Sequence, residues 1–315
     1  ALDLFHRGVD GVRQRADDLR QRARNVKNVH IFDIPNHMRR PFILTSYRAN
    51  YDLRACIRSL WESHNETVNV WLHVLGCFIF LAILWYVATA EADLPPATAN
   101  LERWPLVVFV LSALGCLGTS ALYHLVGTAN EKYFDPLSQV DYIGIVGLIV
   151  GSCFPVAWYG FTPIYSVTRV LYLTAICSTG GLVIFGSLTG ALNRWSDVTR
   201  IGIFVALALS GFFALLHAVV VHEFSERTTA LLRGVILMGG IYFAGIGFYV
   251  TSFPESVAPR SLFDRFGASH QYWHACVLLA AYVHFRTVFS LYCETALFEA
   301  AQGLVNPSIA AAVEL

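Results

Sequence analysis

The chain has 315 residues, 56% of them hydrophobic and 14% charged, with a formal net charge of zero and a mean hydropathy of +0.53. Soluble globular domains carry about 25% charged residues, so the composition excludes an ordinary water-soluble domain and points to lipid as the solvent. The zero balance hides an asymmetry, because twelve of the 22 Lys and Arg residues precede position 60.

The chain starts with Arg7, Arg13 and Arg15 and no early apolar run, which is not the pattern of a cleavable signal peptide. Phe5, Val9, Val12, Ala16, Leu19, Ala23 and Val26 then alternate spacings of four and three, with arginines on the other face. This spacing predicts a basic amphipathic helix. It suits a solvated or coiled-coil helix, or one lying on anionic lipid at the cytoplasmic surface. Pro35 and Pro41 end it, and the segment 1–60 is read as a cytoplasmic unit ahead of the membrane.

A bilayer core needs roughly 20 apolar residues per helix. Seven stretches qualify, at 68–90, 105–127, 138–160, 168–190, 199–221, 232–253 and 269–292. The expected fold is therefore an all-α integral membrane protein, a seven-transmembrane helix bundle over 61–293, with a short extracytoplasmic tail over 294–315. The positive-inside rule keeps the Arg-rich N-terminus in the cytoplasm, and an odd number of spans puts the C-terminus on the other side. Glycines crowd the fourth and sixth spans (Gly180, Gly181, Gly186; Gly239, Gly240, Gly245, Gly247), where close helix packing is the expected cause. The seven cysteines contain no CxxC and read as small hydrophobes, not as a disulfide framework.

Ionisable groups inside a membrane are costly and are candidate functional residues. Ser120 and His124 lie four apart at the end of the second span, Asp141 just inside the third, and His270 and His274 four apart at the start of the seventh. An i,i+4 pair of histidines projects from one helix face. Span parity brings all five residues to one depth at the cytoplasmic side. Three imidazoles suit Zn²⁺ with a fourth position left for water, and bound zinc lowers the pKa of water to about 7. Asp141 is the candidate general base, hydrogen-bonded to the zinc-bound water, and Ser120, one turn below His124, the candidate to orient that water. Their bland alternatives are a carboxylate at a helix start for Asp141 and a hydroxyl bonding back to its own helix for Ser120. His217 and His222 fall at the opposite face, and His284 lies about 15 Å along the helix from His274. His73 is at an acceptable depth but reads as a packing or helix-entry residue, and Arg286 needs a partner that the sequence does not name.

These residues carry a resemblance. The stretch from His64 to His73, Phe42 to Arg48, Ser120-x-x-x-His124, Asp141-Tyr142-x-Gly144-Ile145 and Ser269-His270-Gln271-x-Trp273-His274 resemble the signature blocks of the progestin and adipoQ receptor family. That family includes adiponectin receptors and, more distantly, haemolysin III-like proteins. The likeness covers about positions 41–292, with Leu72 standing where Thr or Ser is frequent. The resemblance implies zinc held by His124, His270 and His274, with Asp141 and Ser120 around it, and a cytoplasmic N-terminus. It further implies a receptor for an extracellular protein or steroid ligand, and in some members hydrolysis of ceramide or a related sphingolipid.

Two functions follow as expectations. One is an intramembrane zinc hydrolase acting on a lipid amide such as ceramide. The other is a signalling receptor in which the zinc is purely structural. A zinc transporter fits less well, since no ladder of ligands crosses the membrane, and nucleic acid is not an expected partner.

Overall fold

The computed structural model describes residues 25–89, 97–98, 101–258 and 261–302. Among these, seven helices are long and apolar enough to cross a membrane. They are numbered here α1 (Thr67–Thr89), α2 (Trp104–Val126), α3 (Glu131–Gly160), α4 (Ser166–Leu188), α5 (Asp197–Val221), α6 (Glu226–Thr251) and α7 (Ser269–Ala301). The expected N-terminal amphipathic helix lies outside the described residues, except for its last position. Val26 belongs to a strand instead.

Three helices exceed the apolar runs that announce them, and local chemistry explains two of the extensions. Asn130 accepts from Lys132 N and starts α3 seven residues before the apolar run, with Pro136 tolerated inside it. Ser225 caps Thr228 N and starts α6 ahead of its run. α7 continues nine residues beyond the expected end at 292, so residues 294–301 of the expected tail are helical. Its 33 residues span about 50 Å, more than a bilayer's hydrocarbon thickness.

α7 packs against α1, α2, α3 and α6 and forms the centre of the bundle, with α2–α3 and α6–α7 as the most extensive pairs. Phe80, Phe109, Leu117, Tyr159, Phe285 and Tyr292 fill the core. The outer helices α4 and α6 expose Val167, Leu171, Leu182, Phe185, Ile236, Leu237 and Phe243. Such a belt would aggregate in water and is the surface a bilayer solvates.

Small residues set the closest helix approaches, but mostly not the ones expected. A Cβ at Gly144 would overlap Thr119 and one at Gly151 would overlap Ser112, which locks α3 against α2. Gly234 backs onto Thr287, and Gly245 onto Cys276 and Trp273, where α6 meets α7. Of the seven glycines singled out in α4 and α6, only Gly180 and Gly245 make a close approach; Gly181, Gly186, Gly239, Gly240 and Gly247 face open space. The packing expectation holds for two positions and fails for five.

A polar strap closes one end of the bundle. Strands β1 (Val26–Val29) and β2 (Tyr47–Ala49) pair antiparallel, and Val29, Ile34, Ile43 and Tyr47 form a small core with Ala268 from the α6–α7 loop. In that loop, Asp264 accepts from Leu44 N at 2.9 Å, Thr45 N at 2.8 Å and Thr45 Oγ1 at 2.5 Å. Arg48 is buried and donates to the carbonyls of His124 (2.8 Å) and Leu125 (3.0 Å) and to Ser59 Oγ (2.7 Å). A guanidinium on the last carbonyls of α2 satisfies groups that the helix cannot pair itself and complements its dipole.

Candidate metal centre

Just inside the strap, the C-terminal end of α2 and the N-terminal ends of α1 and α7 converge. α2 contributes His124, and α7 contributes His270 and His274, four residues apart on one face. One ring nitrogen from each of the three lies within 4.8 Å of those of the other two. The ring centroids are 4.4 Å apart for His270–His274, 4.6 Å for His124–His274 and 5.2 Å for His124–His270. His124 Nε2, His274 Nε2 and both nitrogens of His270 are buried without a hydrogen-bond partner. Buried polar atoms are ordinarily satisfied, so three neighbouring rings, each with an orphaned nitrogen, call for a common partner. Three imidazoles fit a transition-metal cation, and these residues could hold one.

Residues from α1 and the strap complete the surroundings. Glu66, immediately before α1, is 3% exposed; its Oε2 lies 2.7 Å from His124 Nδ1 and accepts from Asn69 Nδ2 at 2.6 Å. Its Oε1 faces Arg40 Nε at 3.6 Å. Burial alone would raise the Glu66 pKa, but His124 and Arg40 overcome it and hold the carboxyl well below its usual range. Burial likewise works against the Arg40 charge, but Glu66 together with Tyr123, Tyr249 and Tyr47 outweighs it, so Arg40 is held above its ordinary value. A carboxylate on Nδ1 fixes the proton there and leaves the Nε2 lone pair of His124 free for a metal.

His73 does not behave as the packing residue expected of it. Its Nε2 lies 2.5 Å from His274 Nδ1, so it bears on His274 as Glu66 bears on His124. With His274 Nε2 directed to a metal, Nδ1 carries the proton and His73 accepts it. Sequence reasoning missed Glu66, Arg40 and His73 as site residues. A signal existed for two of them: Glu66, Asn69 and His73 are spaced i, i+3, i+7, a polar stripe on one face of an otherwise apolar helix.

Asp141 and Ser120 are both buried and line the same cavity of about 120 Å³ as Arg40, His73, His270 and His274. Neither belongs to the three-residue ligand group. Of the other histidines, His284 Nε2 meets Ser152 O at 3.0 Å and His217 Nδ1 meets Tyr172 OH at 3.0 Å, both away from the centre, while His222 Nε2 is buried without a hydrogen-bond partner. All seven cysteines are free thiols.

Comparison with known proteins agrees with this architecture. The sequence profile of the haemolysin-III related family matches residues 61–285. Heptahelical transmembrane protein 1 of Arabidopsis thaliana is 33% identical over 261 residues, covering 80% of this chain and 77% of that protein. The adiponectin receptor protein of Drosophila melanogaster is 33% identical, covering 75% of this chain and 52% of the relative. Progestin and adipoQ receptor-like protein 1 of Caenorhabditis elegans is 30% identical, covering 73% and 52%. The chain thus spans about half the length of the two animal relatives. Seven apolar helices, the converging histidines and these matches together place the chain in the haemolysin-III related family, as a multi-pass membrane protein of the progestin and adipoQ receptor type.

Proposed function

We propose that the centre binds zinc and that the protein hydrolyses a lipid amide of the ceramide class within the membrane, with the strap-covered end in the cytoplasm. The observation that carries this reading is the ligand count. Among the described residues three imidazoles converge with no fourth protein ligand in the group, and the adjoining cavity holds a buried carboxylate. A structural zinc site is ordinarily closed by four protein ligands, whereas a catalytic one keeps a position open.

The chemistry a bound zinc supplies is polarisation of a carbonyl and a lowered pKa for a water. His124, His270 and His274 would hold it, with Glu66 and His73 fixing the tautomers of His124 and His274. Asp141, which lines the cavity, would accept a proton from the attacking water and return one to the leaving amine. Ser120 lies close enough to interact with the Asp141 carboxylate and would hold it in orientation. Ile145, Phe204, Ile246 and Val277 give the cavity apolar walls suited to acyl chains and to excluding bulk water. Arg40 closes the strap side.

A second reading, a signalling receptor whose zinc is only structural, is supported by the names of the relatives, two of which are called receptors. Purified protein separates the two. Zinc content by mass spectrometry and ceramide turnover are measured for wild type, Asp141→Ala and His274→Ala. The hydrolase reading expects zinc in wild type and Asp141→Ala, with turnover lost only in the latter, and both lost in His274→Ala. Zinc-loaded wild type without turnover supports the receptor reading. Folded wild type purified without chelator and lacking zinc would overturn both.

A further inference from the structure

Arg286 lies at the middle of α7, and no described residue gives it a counter-ion. It is exposed and makes no hydrogen bond or ion pair with any described residue. Its height is fixed by the neighbouring contact: Gly234 of α6 backs onto Thr287 of α7, so Arg233 and Arg286 stand level. From Gly234 to Thr251, α6 carries no charged residue. That stretch is about 27 Å long, close to the thickness of a hydrocarbon core. The two arginines therefore sit at its margin, where lipid headgroups begin, at the end of the bundle away from the histidines.

A cavity of about 320 Å³ opens here between α6 and α7, lined by Arg227, Ala230, Leu231, Arg286, Ser290 and Glu294 among others. The volume is at the lower end of ligand pockets, which run roughly 300 to 1,000 Å³. Its charges are not balanced. Among the described residues Glu294 is the only carboxylate lining it, and Ser290 Oγ donates to that carboxylate at 2.8 Å. Arg227 is partly engaged elsewhere, donating to Tyr159 O at 3.2 Å and Thr295 Oγ1 at 2.9 Å, with Glu299 also near it. Arg286 remains uncompensated among the described residues, and a long cationic side chain at the membrane margin reaches toward the headgroups. A guanidinium is the side chain whose fork matches a phosphate with two parallel hydrogen bonds. Leu231 and Ala230 give the pocket an apolar floor against the bundle core.

We propose that this α6–α7 pocket binds the phosphate of an anionic membrane phospholipid, with Arg286 as the anchoring cation. The test is native mass spectrometry of the detergent-purified chain titrated with phosphatidylglycerol, with phosphatidylcholine and with inorganic phosphate. Wild type should retain phosphatidylglycerol at least tenfold more tightly than Arg286→Gln. Arg286→Lys should fall between them, because lysine keeps the charge and loses the fork. Arg54→Gln, an exposed change at the opposite end of the bundle, should bind as wild type does. Equal binding by wild type and Arg286→Gln overturns the proposal, as does an equal loss in Arg54→Gln. Phosphatidylcholine held as tightly as phosphatidylglycerol overturns the anionic preference, and inorganic phosphate matching the lipid's affinity overturns the lipid as its source. If Arg286→Gln does not fold, an unchanged affinity in Arg286→Lys is the overturning result.

Discussion

Glu66 offers the sharpest test of the candidate centre, because among the three histidines its carboxylate is hydrogen-bonded to His124 alone. Its Oε2 meets His124 Nδ1 at 2.7 Å and Asn69 Nδ2 at 2.6 Å, while Oε1 faces Arg40 at 3.6 Å. Glu66→Gln keeps the shape and one carbonyl acceptor, but removes the charge that polarises His124 and pairs Arg40. Outer partners of metal-bound histidines are worth about 10- to 100-fold in metal affinity, or about 1.4 to 2.7 kcal/mol. Zinc competition against a chromophoric chelator in detergent should show a loss in that range. Glu66→Asp keeps the charge on a shorter arm and should lose less. Asp141→Asn, which touches no metal-binding nitrogen in the ligand group, should change affinity by less than about threefold, below the range set for such outer partners. A Glu66→Gln dissociation constant within twofold of wild type would refute the assignment of Glu66 as the residue that sets the His124 tautomer.

Three further outcomes are expected. Asp264→Ala removes three hydrogen bonds to the strap; allowing for water replacing part of them, the loss is about 2 to 4 kcal/mol, seen as a lower melting temperature and faster proteolysis within 25–50. Gly151→Val overfills the α2–α3 contact at Ser112 and should cost about 1 to 3 kcal/mol, whereas Gly239→Ala, in open space, should cost nothing measurable. The pH response rests on His64, which accepts from Glu66 N at 3.2 Å and pairs with Ser59 O; burial, with Arg48 adding to it, pushes its pKa down to about 3. Between that value and the ordinary 6.5 the unfolded chain binds the extra proton, so stability is complete above pH 6.5 and falls with acid by up to about 1.4 kcal/mol per pH unit. His64→Gln should flatten the melting temperature between pH 6.5 and 4.5; an unchanged slope would show that other groups carry the acid response.

What the sequence disclosed and what it hid divide along a physical line. Apolar run length is a local property, and the bilayer imposes it directly, so all seven spans were legible. Parity extends that local information across the bundle, because each crossing reverses direction; it was enough to bring His124, His270 and His274 to one end. Contacts that depend on which face of a helix meets which neighbour were not legible. Gly144 and Gly151 look no different in sequence from Gly239 and Gly240, yet only the first two lie where a Cβ would strike another helix. The strap was hidden for the same reason, since Thr45 and Asp264 are joined across 219 positions.

Glu66 and His73 illustrate the limit most clearly. At a membrane boundary a polar residue is expected for its own sake, so a carboxylate and a histidine at the entry of α1 attract no suspicion. Their meaning lies in the spacing 66, 69, 73, which turns all three side chains inward, and in an arginine 26 positions earlier that neutralises the carboxylate. An inward-facing charge at that depth is costly unless it does something for its neighbours. The same reasoning, applied at the other end of the bundle to an arginine with no neighbour to serve, leads from Arg286 to a ligand outside the chain.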